Sequence, residues 1–266
     1  MSLAWRGGSR PGGTSSTLTR QRSRRRWRVG VSSELSSQAG DQPTRLRWLG
    51  HATFLLSSPG GVQVLLDPFN VELGYPVPEL PPIDLVAVSH EHADHNNVGL
   101  APGTPKVVRG ISDSGWHPGT VSVGDVTLHM IGGAYHDEAQ GQQRGRTAFI
   151  SIEVGGLQLL HLGDLGHRLD TNLLAQCRGH QVLLIPVGGF FTIDGETAAA
   201  TMDEIGPAIA IPIHYRTSRL PGHPTAPLDE TGFLVGREVR RLAGTEIALR
   251  ADELPGRPEV VVLAVP

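Results

Sequence analysis

The sequence predicts a layered α/β protein, and three observations lead to this prediction. Short apolar runs of strand length dominate the first part of the chain, strands alternate with helical segments in the later part, and the 266 residues include 34 Gly and 20 Pro. So many turn-forming residues favour short strands over long helices. Hydrophobic residues make up 39%, which allows a sizeable core, and the late alternation argues against an all-β sandwich.

The predicted elements begin near Arg45 and follow in chain order. Predicted strands, each a short apolar or alternating run bounded by turn residues, lie at 45–58, 61–69, 84–90, 105–110, 126–133, 146–154, 157–164, 182–189 and 208–215. Helices are predicted at 169–177, 195–206 and 229–244. The part of the chain that follows Arg45 therefore divides into two halves, each of which is predicted to be mostly strand and then helix.

Residues 1–43 differ from this body, which we take as one domain over residues 44–266. The segment holds eight arginines and two acidic residues, a formal charge of +6, so the body carries −9 of the net charge of −3. Such a polar stretch buries too little surface to offset its ordering entropy, and we expect a disordered basic extension. A transit peptide, a nucleic-acid-contacting arm and a start codon assigned too far upstream are the alternatives.

The chain has no run of about 18 apolar residues, so no membrane span is expected. Its single cysteine, Cys177, excludes an intrachain disulfide and a Cys-rich zinc site, and we interpret it as a small packed residue. Because the arginines are not followed by the long apolar core of a secretory signal, we expect a cytoplasmic protein.

Four metal-ligand side chains fall within six residues directly after an apolar strand, in Ser89-His90-Glu91-His92-Ala93-Asp94-His95. Residues two apart in an extended segment point the same way, so His90 and His92 can hold one ion. The following turn can direct Asp94 and His95 to a second ion. Imidazole and carboxylate suit zinc, manganese or iron. This spacing therefore predicts a metal site.

Three further candidates lie where apolar strands run out: His136, Asp164 and His214. In layered α/β folds, ligands and active sites gather at strand ends, where the backbone is rigid but open to solvent. Each residue alone would be interpreted as a structural histidine or a turn aspartate. Beside an HxHxDH segment we interpret all three as metal ligands.

HxHxDH followed by a distant His, Asp and His resembles the metallo-β-lactamase superfamily over residues 45–220. WLGHATFLL, SHEHADHN, Arg144-Gly145, HLGDLGH, PVGGFFTID and PIHY are similar to a branch of bacterial metal-dependent hydrolases related to sugar-lactone hydrolases. The resemblance implies an αββα sandwich of two mixed sheets flanked by helices, with the metals at one edge. It also implies the ligand sets: His90, His92 and His136 for one ion, Asp94, His95 and His214 for the other, and Asp164 between them.

Two metal ions, zinc or alternatively manganese or iron, would hold a bridging hydroxide and polarise the scissile group. Asp94 and Asp164 are the catalytic candidates, Asp94 because it can orient the water and move a proton. The sequence lacks a G-x-S-x-G element, which argues against serine catalysis.

Five other residues are candidates for supporting the ligands or contacting substrate. By resemblance, Asp67 would hold the far ring nitrogen of a ligand histidine, although a turn role before Pro68 is equally compatible. His51, at the end of the first strand, and His167 are expected near the cleft. Arg144 can clamp an anionic group, and Tyr215 adjoins a site loop.

The predicted function is a hydrolase that cleaves an ester, lactone, amide or phosphodiester bond in a small molecule. A nuclease or phosphodiesterase acting on nucleic acid is one alternative, which the basic tail favours slightly and the acidic body opposes. An iron-dependent redox or sensing protein is another. The superfamily name alone does not imply an antibiotic substrate, because a fold does not set a function.

Overall fold

The computed structural model describes residues 4, 42–220, 226 and 228–266, and it confirms the α/β class with two mixed sheets. The strands are β1 (Thr44–Gly50), β2 (Thr53–Ser57), β3 (Gln63–Leu66), β4 (Leu85–Val88), β5 (Lys106–Arg109), β6 (Ile111–Ser112), β7 (Gly115–Trp116), β8 (Gly119–Val123), β9 (Val126–Tyr135), β10 (Arg146–Val154), β11 (Leu157–His161), β12 (Val182–Pro186), β13 (Ile209–Ile213), β14 (Val239–Arg241), β15 (Glu246–Leu249) and β16 (Glu259–Val262). The helices are α1 (Thr171–Cys177), α2 (Gly195–Ile205) and α3 (Thr231–Leu234).

Each large sheet combines antiparallel and parallel pairs. The six-stranded sheet has the order β15-β1-β2-β3-β4-β5, with the β3–β4 and β4–β5 pairs parallel. The eight-stranded sheet has the order β14-β16-β13-β12-β11-β10-β9-β8, and it is parallel from β11 to β14. The short strands β6 and β7 form a separate hairpin.

The main hydrophobic core takes side chains from both large sheets. Phe54 and Leu56 of the six-stranded sheet belong to the same buried cluster as Phe149 and Leu184 of the eight-stranded sheet. Strand β9 alternates between buried and partly exposed residues over its first six positions, as expected for a strand with one face against a core. The inner faces of the two sheets therefore enclose a shared core.

The outer faces are covered differently. Helices α1 and α2 contact strands of the eight-stranded sheet, and each begins at an aspartate whose carboxylate accepts a backbone N–H: Asp170 from Leu173 and Asp194 from Thr197. The outer face of the six-stranded sheet is covered by a smaller apolar cluster that includes Phe69 and Tyr75. Few helices therefore flank the sheets.

Strand ends from both sheets meet at one edge and carry the predicted ligands. In the parallel register, Leu160 pairs with Leu183, which pairs with Ala210, so the carboxyl ends of β11, β12 and β13 lie side by side. Candidate side chains follow six strands directly or within a few residues: His51, Asp67, His90, His136, Asp164 and His214.

The predicted helix at 229–244 is wrong. Only Thr231–Leu234 is helical, Gly236 adopts a left-handed φ of 72°, and Val239–Arg241 forms β14, parallel to β16. A left-handed glycine ends a helix readily. No helix in the described residues is both long and apolar enough to span a membrane. The disorder predicted for residues 1–43 falls almost entirely outside the described residues.

Candidate metal centre

The predicted metal-binding side chains form two groups beside each other. One contains His90, His92, His136 and Asp164, and the other contains His51, Asp94, His95 and His214. Within each group, one possible ligand atom per residue lies within 4.8 Å of the others. The structure thus brings together all seven predicted ligands in the predicted arrangement and adds His51. Their role as ligands stays a prediction at this point.

The loop after β4 serves both groups because it changes from extended chain to a tight turn. His90 and His92 belong to one group, and their ring centroids are 4.6 Å apart. The backbone N–H of His95 then donates to the carbonyl of His92 at 3.0 Å. This turn carries Asp94 and His95 to the other group, as the HxHxDH spacing predicts.

The carboxylate of Asp164 lies between the two groups. Its Oδ2 is 3.7 Å from both His90 Nε2 and His136 Nδ1, and 3.3 Å from His214 Nε2. Its Oδ1 is 3.0 Å from His95 Nε2, yet neither of these two atoms has hydrogen-bond geometry to a partner. A carboxylate with close nitrogen neighbours from both groups is placed as a bridging ligand would be.

Several buried polar atoms of these residues have no hydrogen-bond partner in the described part of the chain. They include His90 Nε2, His95 Nε2, His136 Nδ1, Asp164 Oδ1 and His214 Nε2. Burying polar atoms without a partner costs free energy, so such a concentration requires an explanation. Divalent ions such as zinc, which accept nitrogen and oxygen ligands, would satisfy these atoms. The residues present therefore fit a metal centre.

Asp67 holds one of these histidines from behind. The side chain is fully buried, and Oδ2 accepts from His95 Nδ1 at 2.9 Å and from the Ser89 hydroxyl at 2.6 Å. Oδ1 accepts from the Ser89 backbone N–H at 2.7 Å. A hydrogen bond to one ring nitrogen fixes the tautomer and leaves the other nitrogen for a metal. The structure thus places Asp67 behind a ligand candidate, as predicted.

Three residues of the site adopt left-handed backbone conformations: His51 at φ 53°, Asp67 at φ 42° and His214 at φ 50°. This region is uncommon for residues other than glycine. Strained residues of this kind persist only where the surrounding structure holds them, and they cluster at functional sites. The concentration of three at one sheet edge supports a functional role for it.

The surroundings keep most of these groups in the forms that bind metals. Burial lowers the pKa of His51 and His136 to about 4, so both rings are neutral at pH 7. Burial acts to raise the pKa of Asp164, but His214, His95 and His90 hold it well below the usual range. Burial acts to lower the pKa of His95, but Asp164 and Asp94 raise it well above the usual range, so His95 would lose a proton on binding a metal.

The other three predicted candidates occupy different positions. The ring nitrogens of His167 are engaged with backbone groups, Nε2 accepting from Tyr135 N–H and Nδ1 donating to the Arg168 carbonyl, so His167 lies outside both groups. Tyr215 is buried and stacks on Trp48 at 5.6 Å. One nitrogen of the Arg144 guanidinium donates to the Phe190 carbonyl, and the group lies 4.7 Å from the centre of the Phe190 ring, so its role in clamping an anion stays a prediction.

Sequence reasoning missed His161 and Ser89. His161 is buried two residues after Leu159 in an apolar strand, where a histidine reads as a structural residue. Its position three residues before Asp164, as the first residue of HLGDLGH, is the signal that could have assigned it to the site. Ser89 precedes the first histidine of the loop, and its hydroxyl contacts both Asp67 Oδ2 and His90 Nδ1, the latter at 2.9 Å. No spacing rule distinguishes it from an ordinary turn serine.

The chain resembles known proteins over this same region. A family model described as a beta-lactamase superfamily domain matches residues 45–214. A UPF0173 metal-dependent hydrolase of Carboxydothermus hydrogenoformans is 32% identical over 196 residues, covering 65% of this chain and 85% of the relative. One from Anaeromyxobacter sp. (strain K) is 30% identical over 207 residues, covering 65% and 75%.

Solved structures share the fold. A protein of the metallo-β-lactamase superfamily from Thermotoga maritima matches with a TM-score of 0.64 and 28% identity, covering 83% of this chain and 98% of that one. An isothiocyanate hydrolase from Delia radicum gut bacteria matches with a TM-score of 0.54 at 15% identity, covering 71% and 90%; at that identity it shows the fold alone. The chain therefore belongs to the metallo-β-lactamase superfamily, as a metal-dependent hydrolase.

Proposed function

We propose that this protein uses two metal ions, preferably zinc, to hydrolyse an ester, lactone or amide bond in a small molecule. The observation that carries the proposal is Asp164, whose two carboxylate oxygens approach nitrogens of both ligand groups at 3.0 to 3.7 Å. His90, His92 and His136 would hold one ion, and Asp94, His95 and His214 the other. When bound, a pair of divalent ions activates water as a nucleophile at neutral pH and polarises the scissile group.

Residues of the chain, Asp94 and His51 among them, would orient the metal ligands and the attacking water. Asp94 Oδ2 lies 3.1 Å from His51 Nε2 and is 4.0 Å from the ring nitrogens of both His95 and His214. Burial acts to raise the pKa of Asp94, but His95 and His51 hold it well below its usual range. Asp94 is therefore ionised at neutral pH, and its carboxylate can orient water by accepting a hydrogen bond from it. His51 fixes its carboxylate through the hydrogen bond.

The rim of the site favours an uncharged substrate with an apolar part. Phe190, on the loop after β12, is 59% exposed, and Leu228 beside this loop is 47% exposed. The loop adjoins the metal-binding residues because Gly188 packs against the backbone of His214. One nitrogen of the Arg144 guanidinium donates to the Phe190 carbonyl, so part of its hydrogen-bonding capacity is directed to this loop. A carboxylic ester, lactone or amide suits these surroundings better than a phosphodiester.

Metal analysis and a panel assay test the proposal together. Purified wild-type protein should contain about two metal ions per chain and cleave one class among a lactone, a carboxyl ester, a β-lactam and bis(p-nitrophenyl) phosphate. Asp164→Ala should abolish that activity and lower the metal content, because both ions lose a ligand. Asp252→Ala, which removes a carboxylate that is 82% exposed, should change neither.

The panel also decides between this proposal and its alternatives. If only the phosphodiester is cleaved, the proposed substrate class changes from an ester, lactone or amide to a phosphodiester. A visible absorption band and reaction with oxygen would indicate an iron redox protein. Wild-type protein that neither contains nor takes up zinc, manganese or iron would contradict the metal centre itself. Residence in the cytoplasm stays a prediction from the sequence.

A further inference from the structure

His161 is a buried histidine that the proposed chemistry does not use. It is the last residue of β11, in the eight-stranded sheet, and only 1% of its surface is exposed. Its Nε2 lies 2.8 Å from the Ala52 carbonyl, and its Nδ1 lies 2.9 Å from the Gly163 backbone nitrogen. A carbonyl can only accept and an N–H can only donate. The ring is therefore neutral, with its proton on Nε2.

These two hydrogen bonds reach the two turns that present ligand candidates from opposite sheets. Gly163 immediately precedes Asp164, in the turn after β11 of the eight-stranded sheet. Ala52 immediately follows His51, in the turn between β1 and β2 of the six-stranded sheet. One imidazole thus spans the gap between the sheets directly beneath the metal-binding groups.

The turn that carries His51 needs to be held in place. His51 has φ 53°, and left-handed residues other than glycine persist only where neighbouring contacts fix them. A second contact acts on the first turn, since the His51 carbonyl accepts the backbone N–H of His214 at 3.2 Å. His161 supplies the corresponding contact from β11, and it alone among these contacts also engages the turn of Asp164.

We propose that His161 is a positioning residue of the metal centre, whose two hydrogen bonds to Ala52 and Gly163 set the spacing between Asp164 and the group that contains His51. The inference rests on the proposed dinuclear site, since it assigns a role in arranging that site. It predicts that the two ring nitrogens have separable effects, because each one holds a different turn.

Three substitutions separate these effects. In His161→Asn, the side-chain oxygen replaces Nδ1 as acceptor for the Gly163 N–H, and the bond to Ala52 is lost. In His161→Gln, the terminal amide replaces Nε2 as donor to the Ala52 carbonyl, and the bond to Gly163 is lost. His161→Leu removes both. His180→Leu is the matched control, because His180 is also buried and uses both ring nitrogens, with Cys177 and Ser151, but lies at the opposite end of β12 from the site.

The first measurement is hydrogen exchange of the Gly163 amide by NMR in the metal-free protein. Protection should survive in His161→Asn and fall in His161→Gln and His161→Leu. The second is titration with Co²⁺, followed by its absorption spectrum. Residues that hold metal ligands in place by hydrogen bonds typically contribute 10- to 100-fold to metal affinity. We expect losses of that size in His161→Leu, smaller losses in the Asn and Gln variants, and altered spectra in all three.

The control and the wild type decide what a failure means. His180→Leu should lower the unfolding midpoint without changing the Co²⁺ affinity or spectrum. If the three His161 variants behave in the same way, His161 is only a core residue and the inference is overturned. If wild-type protein itself binds no Co²⁺, the proposed function is overturned and the inference with it.

Discussion

A single carboxylate, Asp67, shows how the site is built at the scale of one residue. It lies just past β3 with a left-handed φ of 42°, and this conformation aims both of its oxygens at the metal-binding loop. Three donors surround it: His95 Nδ1, the Ser89 hydroxyl and the Ser89 backbone N–H. A carboxylate is the one side-chain group of this size that accepts from all three without offering a competing donor.

Asp67→Asn should therefore weaken metal binding while leaving the fold intact. Asparagine tolerates left-handed backbone as well as aspartate does, but its amide nitrogen would face a donor. We expect metal affinity to fall 10- to 100-fold, as for other residues that hydrogen-bond metal ligands, and the unfolding midpoint to fall because a buried donor loses its acceptor. Competition titration with a zinc chelator measures the affinity. Asp84→Asn, at the exposed start of β4, is the control, and an unchanged affinity in Asp67→Asn would contradict the role.

Seven ligand candidates could be predicted from the sequence because their signal is local. The HxHxDH spacing and the position of His136, Asp164 and His214 at the ends of apolar runs need no knowledge of tertiary structure. The contacts of His51 and His161 could not be predicted in the same way. His51 lies 43 residues from Asp94 and His161 lies 109 residues from Ala52, so each contact depends on how the two sheets meet.

At the scale of elements, the loop between β12 and α2 combines strain with an exposed aromatic ring. Phe190 has φ 58°, which is strained for a residue other than glycine, and 59% of this large apolar residue is exposed to solvent. Neither feature stabilises the fold. Its carbonyl accepts from Arg144, whose guanidinium also faces the Phe190 and Phe191 rings at 4.7 and 5.2 Å. Arg144 belongs to the loop after His136, so this contact joins two loops that flank the metal-binding groups.

The pair Phe190→Ala and Phe190→Gly separates the strain from the ring. Both lose the ring, so both should lower kcat/KM for substrates with a bulky apolar group and leave small substrates such as acetyl esters nearly unaffected. Glycine also relieves the left-handed strain, so Phe190→Gly should be more stable than Phe190→Ala by about 1 kcal/mol. Urea unfolding and kinetics on paired esters measure these effects. Equal stability, or a loss independent of substrate size, would contradict the argument.

The wrong element at 229–244 has a physical cause. The segment has apolar residues at Phe233, Leu234, Val239 and Leu242. This spacing is compatible with one long helix and equally with a short helix followed by a strand. Gly236 breaks the helix, and β14 forms because β16 supplies a parallel partner, with Val239 paired to Val260. Such pairing is long-range and leaves no periodic signal in three residues. The long strands of the core, such as β9 and β10, carry their own alternation and were predicted.

At the scale of the whole molecule, two sheets bury a large set of titratable groups where their edges meet. His51 and His136 each have a pKa lowered from 6.5 to about 4 by burial, whereas the same residues in the unfolded chain titrate near 6.5. Between these values the unfolded state binds more protons than the folded state. The free energy of unfolding must therefore fall as pH falls from about 6.5 to about 4.

Other groups of the site do not reverse this trend in that window. His95 has a raised pKa, so its contribution is complete below pH 6.5 and is lost only as pH rises above it. Asp94 and Asp164 have lowered pKa values, and their contributions decline only below about pH 4. A shift from 6.5 to about 4 corresponds to about 3 kcal/mol for each histidine at most.

We therefore expect chelator-treated protein to lose several kcal/mol of stability between pH 7 and pH 4.5, measured as the free energy of unfolding in urea. His136→Asn removes one of the titrating rings, so its stability should depend less steeply on pH than that of the wild type. The half-buried His129, which lies outside both metal-binding groups and whose ring hydrogen-bonds Thr120 at 2.8 Å, supplies the comparison, since His129→Asn should keep the wild-type slope. A free energy of unfolding that stays constant or rises as the pH falls would show that these rings are protonated in the folded state, and that burial at the sheet edge does not keep them neutral.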